Sequence, residues 1–423
     1  MKFVLASYGT RGDVEPAIAV GRELVHRGHE VRMAVAPDAV GFVESAELAA
    51  VAYGPDTRGT VLEAQRNAAT FLPLKFWRIR SHIRLWREVL ELGAQHWVEM
   101  GKTLVSLADG ADLLITGPGF EDVAANVAEY YSIPLATLHY FPVRANGQLL
   151  SFLPAPLIRS AMTVFEWLGW RWGKKLVDAQ RRELGLSKAR VPLPRRIAER
   201  GSLEIQAYDE FWFPGLASEW AKHNGQRPFV GALTMDLTTD TDDEVASWIA
   251  AGTPPIFFGF GSTHVESPAE TLAMISAACA ELGERALVCA GWTDFSHVPH
   301  FEHVKVVAAT NYAAAFPACR AVVHHGGTGT TAATLRAGVP LLALWTGPDQ
   351  AIWGARVKRL KVGTARRFSR TTRETLVADL RTILAPQYLT RAREIASRMS
   401  KPAESVTVTA DLMENFARLR RVG

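Results

Sequence analysis

Across its 423 residues the chain carries three cysteines, Cys279, Cys289 and Cys319, all in the second half. An odd count at irregular spacing argues against a disulfide framework or a zinc site, and fits a reducing cytoplasm. No run of about 18 apolar residues is present, so no segment reads as membrane-spanning. The apolar start "KFVLAS" is too short for the core of a signal peptide and reads as a buried strand. Charge is modest: Lys and Arg number 47 against 43 Asp and Glu, for a net charge of +4. That lacks the clustered basic excess of a nucleic-acid binder. No fixed-period repeat, no low-complexity tract and no acidic metal cluster beside the glycine loops is found.

Two further absences concern nucleotides. "GGTGTT" is followed by no Walker lysine. No G-x-G-x-x-G is followed by an acidic residue about 20 positions later. A P-loop nucleotidase and a dinucleotide dehydrogenase are therefore poor fits.

What is present is alternation. "KFVLASYG", "EVRMAVAP", "DLLITG" and "PLATLHYF" read as strands in the first half. "PPIFFGFG", "RALVCAG", "VKVVAA", "CRAVVHHG" and "VPLLALW" read as strands in the second. Amphipathic stretches separate them. One helix is expected from about Val14, with Pro16 near its first turn, Ala17, Ile18, Gly21, Leu24 and Val25 on its apolar face, and Gly28 as its stop. Such alternation predicts an α/β chain of two Rossmann-like, doubly wound parallel-sheet domains facing across a cleft. The expected bounds are 1–215, a Pro- and Gly-rich join at 216–235, 236–400, and a final helix at 401–423 packing back toward the first domain. Ligands of such sheets sit at the carboxyl ends of the strands, which puts the expected site in the cleft.

Two stretches break the pattern. In "LKFWRIRSHIRLWREVLELG", Phe76, Ile79, Ile83, Trp86 and Leu90 share one helical stripe, and Arg80, Arg84 and Arg87 another. "MTVFEWLGWRWGKKL" repeats the theme with Phe165, Leu168 and Trp172 beside Arg171, Lys174 and Lys175. The plain expectation is a core-facing stripe with a solvated basic face. The alternative is an apolar acceptor pocket or a peripheral contact with anionic lipid.

Three glycine loops follow strands. In "VVHHGGTGTTAATLRAG", Gly326, Gly327 and Gly329 permit close approach of backbone to a ligand. Thr330 and Thr331 open a helix whose first N–H groups and dipole suit phosphate, and His325 can add a hydrogen bond or a charge. "GFGSTH" places Gly261, Ser262 and Thr263 at another strand end. "YGTRGDVEP" places Thr10, Arg11, Gly12 and Asp13 at a third. Asp13 reads equally as a helix cap and as a general base. His139, after another strand, is the reserve base. Glu121 and Asp122 are expected to cap the next helix.

"HHGGTGTTAATLRAGVPLLALWTGPDQ" resembles the donor-binding signature of the nucleotide-sugar glycosyltransferases of the GT-B fold (glycosyltransferase family 1). "GTRGDVEP" resembles the N-terminal signature of the bacterial branch, which includes vancomycin-group antibiotic and sterol enzymes. "GFVES" and "WTGPDQAIWGARVKRLKVG" resemble the mycobacterial enzymes that glycosylate cell-wall lipids, notably glycopeptidolipids. The resemblance implies phosphate contacts from Ser262, His325, Gly327, Gly329, Thr330 and Thr331. It implies sugar contacts from Asp349 and Gln350, and catalysis by Asp13. No cofactor and no metal is implied, only a nucleoside-diphosphate sugar as co-substrate and an apolar or lipid acceptor. Two positions depart from the plant branch: Val307 stands where its base-stacking tryptophan would be, and Ala333 where its ribose-binding glutamate would be. A dTDP sugar is therefore expected over a UDP sugar, since Ala cannot bond a 2′-hydroxyl. Competing readings are a UDP-glucose sterol or antibiotic glucosyltransferase, a nucleotide-sugar epimerase, or a binding protein without catalysis.

Overall fold

The computed structural model describes residues 1–59, 96–150, 153–223, 225–295 and 298–421. The first Trp- and Arg-rich stretch, 74–93, lies outside the described residues. The chain divides into two compact units, one of Met1–Leu233 with Ala403–Gly423, the other of Thr234–Pro402.

The first unit is built on β1 (Lys2–Ser7), β2 (Glu30–Val35), β3 (Ala49–Ala52), β4 (Leu113–Thr116), β5 (Leu135–His139) and β6 (Leu203–Gln206). They form one sheet in the order β3-β2-β1-β4-β5-β6, with every pairing parallel. The second unit repeats the plan with β7 (Ile256–Gly259), β8 (Ala286–Cys289), β9 (Val304–Val307), β10 (Ala321–His324), β11 (Leu341–Trp345) and β12 (Gly363–Arg367). Their order is β12-β11-β10-β7-β8-β9, again all parallel. Each sheet starts in its middle and is wound outward both ways, so direction switches between β1 and β4, and between β7 and β10. A crevice opens at such a point because the two flanking loops leave on opposite faces.

The central strands read as unbroken apolar runs because both of their faces are covered. Phe257 and Phe258 of β7 are both fully buried, one in each of the two cores that sandwich the sheet. In the first unit Val4, Leu114, Val123 and Val127 share a core with residues 96–108, which are helical.

The helix after β1 spans Arg11–His26, three residues earlier than the sequence suggests. Pro16 therefore falls in its second turn and leaves the Gly12 carbonyl without its i+4 donor. Val25, expected on the apolar face, is exposed, and Val14, Ile18 and Leu24 carry the burial. Helix Pro402–Arg421 belongs to the first unit, where Arg27 donates to Asp411 at 2.6 Å and His29 meets Glu414 at 2.8 Å.

Helix Ala155–Glu183 departs from its core-facing expectation. Ile158 and Val177 are buried, but Phe165 and Trp172 are exposed. The side that packs inward runs through Ile158, Met162, Glu166, Trp170 and Val177. Phe165, Leu168 and Trp172, the stripe predicted for the core, lie on the flank adjoining Ile158 and are exposed there.

Candidate donor site and buried charge network

In the second unit, β7 and β10 lie side by side, with Phe258 opposite Val323 and Gly259 opposite His324. Their loops therefore emerge together at the switch point. The His325 ring fills the gap between those loops. A Cβ on Gly261 would lie 2.7 Å from its Cε1, and one on Gly327 would lie 2.5 Å from its Nε2. Both distances are below van der Waals contact, so only glycine at both positions leaves room for the ring. His325 Nδ1 is buried and has no hydrogen-bond partner among the described residues. Burial pushes its pKa down to about 4, slightly opposed by the Gly259 carbonyl, so the ring is neutral near pH 7. A buried neutral ring has a hydrogen bond, not a charge, to offer a ligand.

Helix Thr328–Arg336 starts directly after, with Gly327 as its N-cap. Gly329 and Thr330 sit in its first turn, where N–H groups lack intrahelical acceptors and carry the positive end of the dipole. Thr331 corrects an expectation. Its N–H bonds the Gly327 carbonyl at 2.9 Å and its buried hydroxyl bonds the same oxygen at 2.8 Å. Both of its donors are spent inside the helix. Ser262 is half-buried at the turn after β7, whereas Thr263 is buried and closes that turn on Phe260 at 2.9 Å.

The loop after β11 joins this edge. Gly326 lies against Gln350, whose Cβ is 3.3 Å from where a Gly326 Cβ would be. Gln350 Oε1 accepts from the Thr346 N–H at 2.8 Å, the Thr346 hydroxyl at 3.0 Å and the Gly347 N–H at 3.1 Å. Its carbonyl oxygen is thus engaged in shaping the loop, and its amide N–H₂ is what remains for a ligand. Asp349 is exposed in the first turn of helix Pro348–Leu360. The structure also brings in a residue not singled out from sequence. The Trp292 N–H donates to the Gly261 carbonyl at 3.1 Å, which sets the loop after β8 against the loop after β7. The signal was there: "CAGWT" is another glycine directly after a strand. Val307, by contrast, lies in the core under the sheet, and Ala333 packs beside the same core.

In the first unit, Asp13 is the third residue of its helix. Its Oδ2 accepts from the Thr10 N–H at 2.8 Å and lies 3.3 Å from the Thr10 hydroxyl. Its own carbonyl accepts from Ser7 Oγ at 2.7 Å and from the Tyr140 hydroxyl at 2.7 Å. The capping role is therefore real, and the backbone beneath the carboxylate is pinned from two sides. Arg11 is engaged with Glu15 at 3.0 Å and stacks over Phe42, and Gly12 is exposed beside it.

His139 and Glu121 both differ from expectation. His139 is fully buried, its Nε2 is 2.8 Å from Glu121 Oε1, and its Nδ1 is 3.4 Å from Gln206. A ring enclosed in this way does not serve as a reserve base at a substrate. Glu121 does not cap its helix, whose N-cap is Phe120 in the left-handed region. Its two oxygens instead receive both terminal nitrogens of Arg144, at 2.9 and 3.0 Å. Arg144 also donates to Glu204, which Arg227 contacts at 2.9 Å. Burial opposes ionisation of Glu204, yet Arg144 and Arg227 hold its pKa down at about 2. Asp122 pairs with Arg196 at 3.1 Å, and burial raises it to about 6 against that pull. Sequence proximity to a helix start suggested caps. The actual partners come from far along the chain.

The family descriptions that match are the glycosyltransferase family 28 N-terminal domain, over residues 3–147, and the erythromycin biosynthesis protein CIII-like C-terminal domain, over residues 277–414. An uncharacterized glycosyltransferase of Mycobacterium tuberculosis is 60% identical over 425 residues, covering 100% of both chains. A sterol 3-beta-glucosyltransferase of Arabidopsis thaliana is 26% identical over 412 residues, covering 94% of this chain and 65% of its own. Among solved structures, the kitacinnamycin glycosyltransferase matches with a TM-score of 0.72 at 17% identity, covering 98% of each chain. A Streptomyces sp. SF2575 glycosyltransferase complexed with thymidine diphosphate matches at 0.62 and 22% identity, covering 97% of this chain and 99% of its own. Two like-wound sheets, paired glycine loops at the switch point of the second, and 60% identity over the full length of such a relative lead to one conclusion: the chain belongs to the glycosyltransferases and has the GT-B fold.

Proposed function

We propose that this glycosyltransferase moves a 6-deoxyhexose, rhamnose or 6-deoxytalose, from a dTDP donor to a hydroxyl of a lipid-type acceptor such as a glycopeptidolipid, working from the cytoplasm. The acceptor oxygen attacks the anomeric carbon in line and forms the new glycosidic bond with inversion. Asp13 takes the hydroxyl proton. The bond from the anomeric carbon to the diphosphate breaks, and its electron pair leaves with the diphosphate. The leaving charge is met by the Gly329 and Thr330 N–H groups, the helix dipole, Ser262 and His325, with no metal called on. Asp349 and the amide of Gln350 hold sugar hydroxyls.

The observation that carries this reading is the His325 ring clamped between Gly261 and Gly327 at a helix start. A neutral ring with a buried unpartnered nitrogen is costly unless something completes it, and a diphosphate is the anion that fits a helix N-terminus. The thymidine choice is supported by Ala333, which offers a 2′-hydroxyl nothing, and by the thymidine diphosphate held by a structural neighbour. The lipid choice is supported by the resemblance of "GFVES" and "WTGPDQAIWGARVKRLKVG" to enzymes that glycosylate cell-wall lipids. A second reading, a UDP-glucose sterol-type enzyme, is supported by the likeness to the Arabidopsis protein over 94% of this chain. Competition between the free diphosphates separates them. One missing hydrogen bond is worth about 1 kcal/mol, so dTDP is expected to bind ~5- to 10-fold more tightly than UDP. UDP binding as tightly as dTDP would move the sterol-type reading ahead.

A further inference from the structure

Asp13 stands on a mounting of its own. Its carbonyl oxygen lies 2.7 Å from Oγ of Ser7, the last residue of β1, and 2.7 Å from the hydroxyl of Tyr140, the first residue after β5. A helix carbonyl ordinarily serves the N–H four residues on. Here side-chain donors from the ends of two strands converge on one carbonyl of the first turn. Ser7 is 2% exposed and Tyr140 7%, so both hydroxyls are withdrawn from solvent and need protein partners. Burial pushes the Tyr140 phenol well up, the charge of Asp13 adds to that, and Ser7 opposes it. Tyr140 therefore stays a hydrogen-bond donor at working pH.

The surroundings leave room for this arrangement and little else. Gly9 has a φ of +146°, and a Cβ there would lie 2.2 Å from Asp13 Oδ2, so any side chain would displace the carboxylate. A Cβ on Gly117, directly after β4, would lie 3.2 Å from the Tyr140 hydroxyl and 3.7 Å from Ser7 Oγ. Tyr140 is itself fixed through the chain, because the preceding residue, His139, is bonded to Glu121 at 2.8 Å. β1, β4 and β5 are neighbours in the sheet, so three adjacent strand ends meet around one carbonyl. The carboxylate of the same residue is held by the Thr10 N–H at 2.8 Å.

We propose that Tyr140, together with Ser7, is a positioning residue for Asp13. Its hydroxyl holds the first turn of the helix so that the carboxylate keeps the place from which it takes the acceptor proton. Neither hydroxyl needs to touch the substrate. The inference rests on Asp13 acting as the base and deepens that reading. Misplacing a reacting group by about 1 Å can cost about 10² in rate, so a tether on the backbone of a base is worth more in turnover than in stability. Removing the Tyr140 hydroxyl leaves the Asp13 carbonyl with Ser7, so no buried acceptor is stranded and the fold is expected to stand. A purely structural role predicts lost stability. A positioning role predicts lost turnover that depends on Asp13 being present.

The test is a cycle of Tyr140→Phe, Asp13→Asn and the double variant in the full chain. Turnover is read as dTDP release from dTDP-rhamnose with a glycopeptidolipid aglycone, and calorimetric titration with dTDP counts the folded sites. Tyr140→Phe should lower kcat by about tenfold to 10², with the donor KM and the dTDP affinity unchanged. In the Asp13→Asn background the same change should cost nothing further, since it acts through the carboxylate already removed. Exchange of the Thr10 amide, which donates to Asp13 Oδ2, should quicken about tenfold in Tyr140→Phe while the amides of β1 keep wild-type rates. That measurement needs no acceptor and decides alone if the chosen pair gives no turnover. Ser7→Ala takes the place of Tyr140→Phe in the same cycle if the latter does not fold. Wild-type kcat and Thr10 exchange in Tyr140→Phe would overturn the proposal, as would an equal loss in both backgrounds, the mark of a merely structural effect. Near-native turnover in Asp13→Asn would sink the base reading and this proposal with it. A slow Asp13→Asn beside a Tyr140→Phe of wild-type speed would sink the positioning role alone.

Discussion

The two units share one strand order, yet their switch points are chemically opposite. The second unit surrounds its crevice with glycine, hydroxyls and a neutral histidine, and the charge it offers an anion comes from a helix end. The first unit sets Asp13 in the first turn of the helix after β1 and buries four ionised side chains, Glu121, Arg144, Glu204 and Arg227, together with His139. Topology therefore says where a ligand goes, and local composition says what kind. Polar backbone suits a diphosphate that arrives charged. A carboxylate on a rigid support suits removal of a proton.

Three changes would sharpen or break that contrast. The largest effect is expected from Asp13→Asn in the first unit. Turnover should fall by about 10² to 10⁴, the usual worth of a positioned base, while calorimetric dTDP affinity stays unchanged. Near-native turnover would leave Asp13 as the partner of Thr10 and nothing more.

Arg144→Ala should come next, by stability rather than catalysis. It removes the guanidinium that two buried carboxylates share, leaving Glu204 with Arg227 and Glu121 with His139, and should cost about 3–5 kcal/mol in chemical denaturation. A loss under 1 kcal/mol would mean that water already reaches Glu121 and Glu204.

Acid should then separate the units. His324 and His325 are held neutral by burial in the folded protein, so the unfolded chain takes their protons first. Stability from them is present above about pH 6.5 and falls as pH drops toward 4, by at most about 1.4 kcal/mol per pH unit per group. Glu204 has the opposite sign of charge and a depressed pKa of about 2, so its contribution persists down to about pH 4.5 and is lost below that. Hydrogen exchange at successive pH values should show the second unit loosening first. Loss in the reverse order would contradict this assignment of charge.

Much of the fold could be read in advance where strands are buried on both faces. Each of the nine strands read from apolar runs is found. β3, β6 and β12 were not anticipated, for physical reasons. "AAVA" is a short, largely exposed edge, "GTARR" is a polar edge, and "LEIQ" buries Glu204 and Gln206, which no hydropathy pattern marks as interior. The glycine loops were legible because glycine after a strand has few other uses. The neighbours of Glu121 were not, because Arg144 and His139 reach it only through the folding of β5 beside β4. The stripe of helix Ala155–Glu183 was visible as periodicity, but periodicity does not say which side of a helix the rest of the protein occupies.

The account rests most heavily on His325 as part of the diphosphate site, and titration of the His325→Ala protein with dTDP tests that directly. Removing a hydrogen bond to a charged group should weaken binding by about 1.5–3 kcal/mol, roughly 10- to 150-fold, with the melting temperature of the free protein kept as the control on folding. A folded His325→Ala protein that binds dTDP as tightly as the wild type would contradict it.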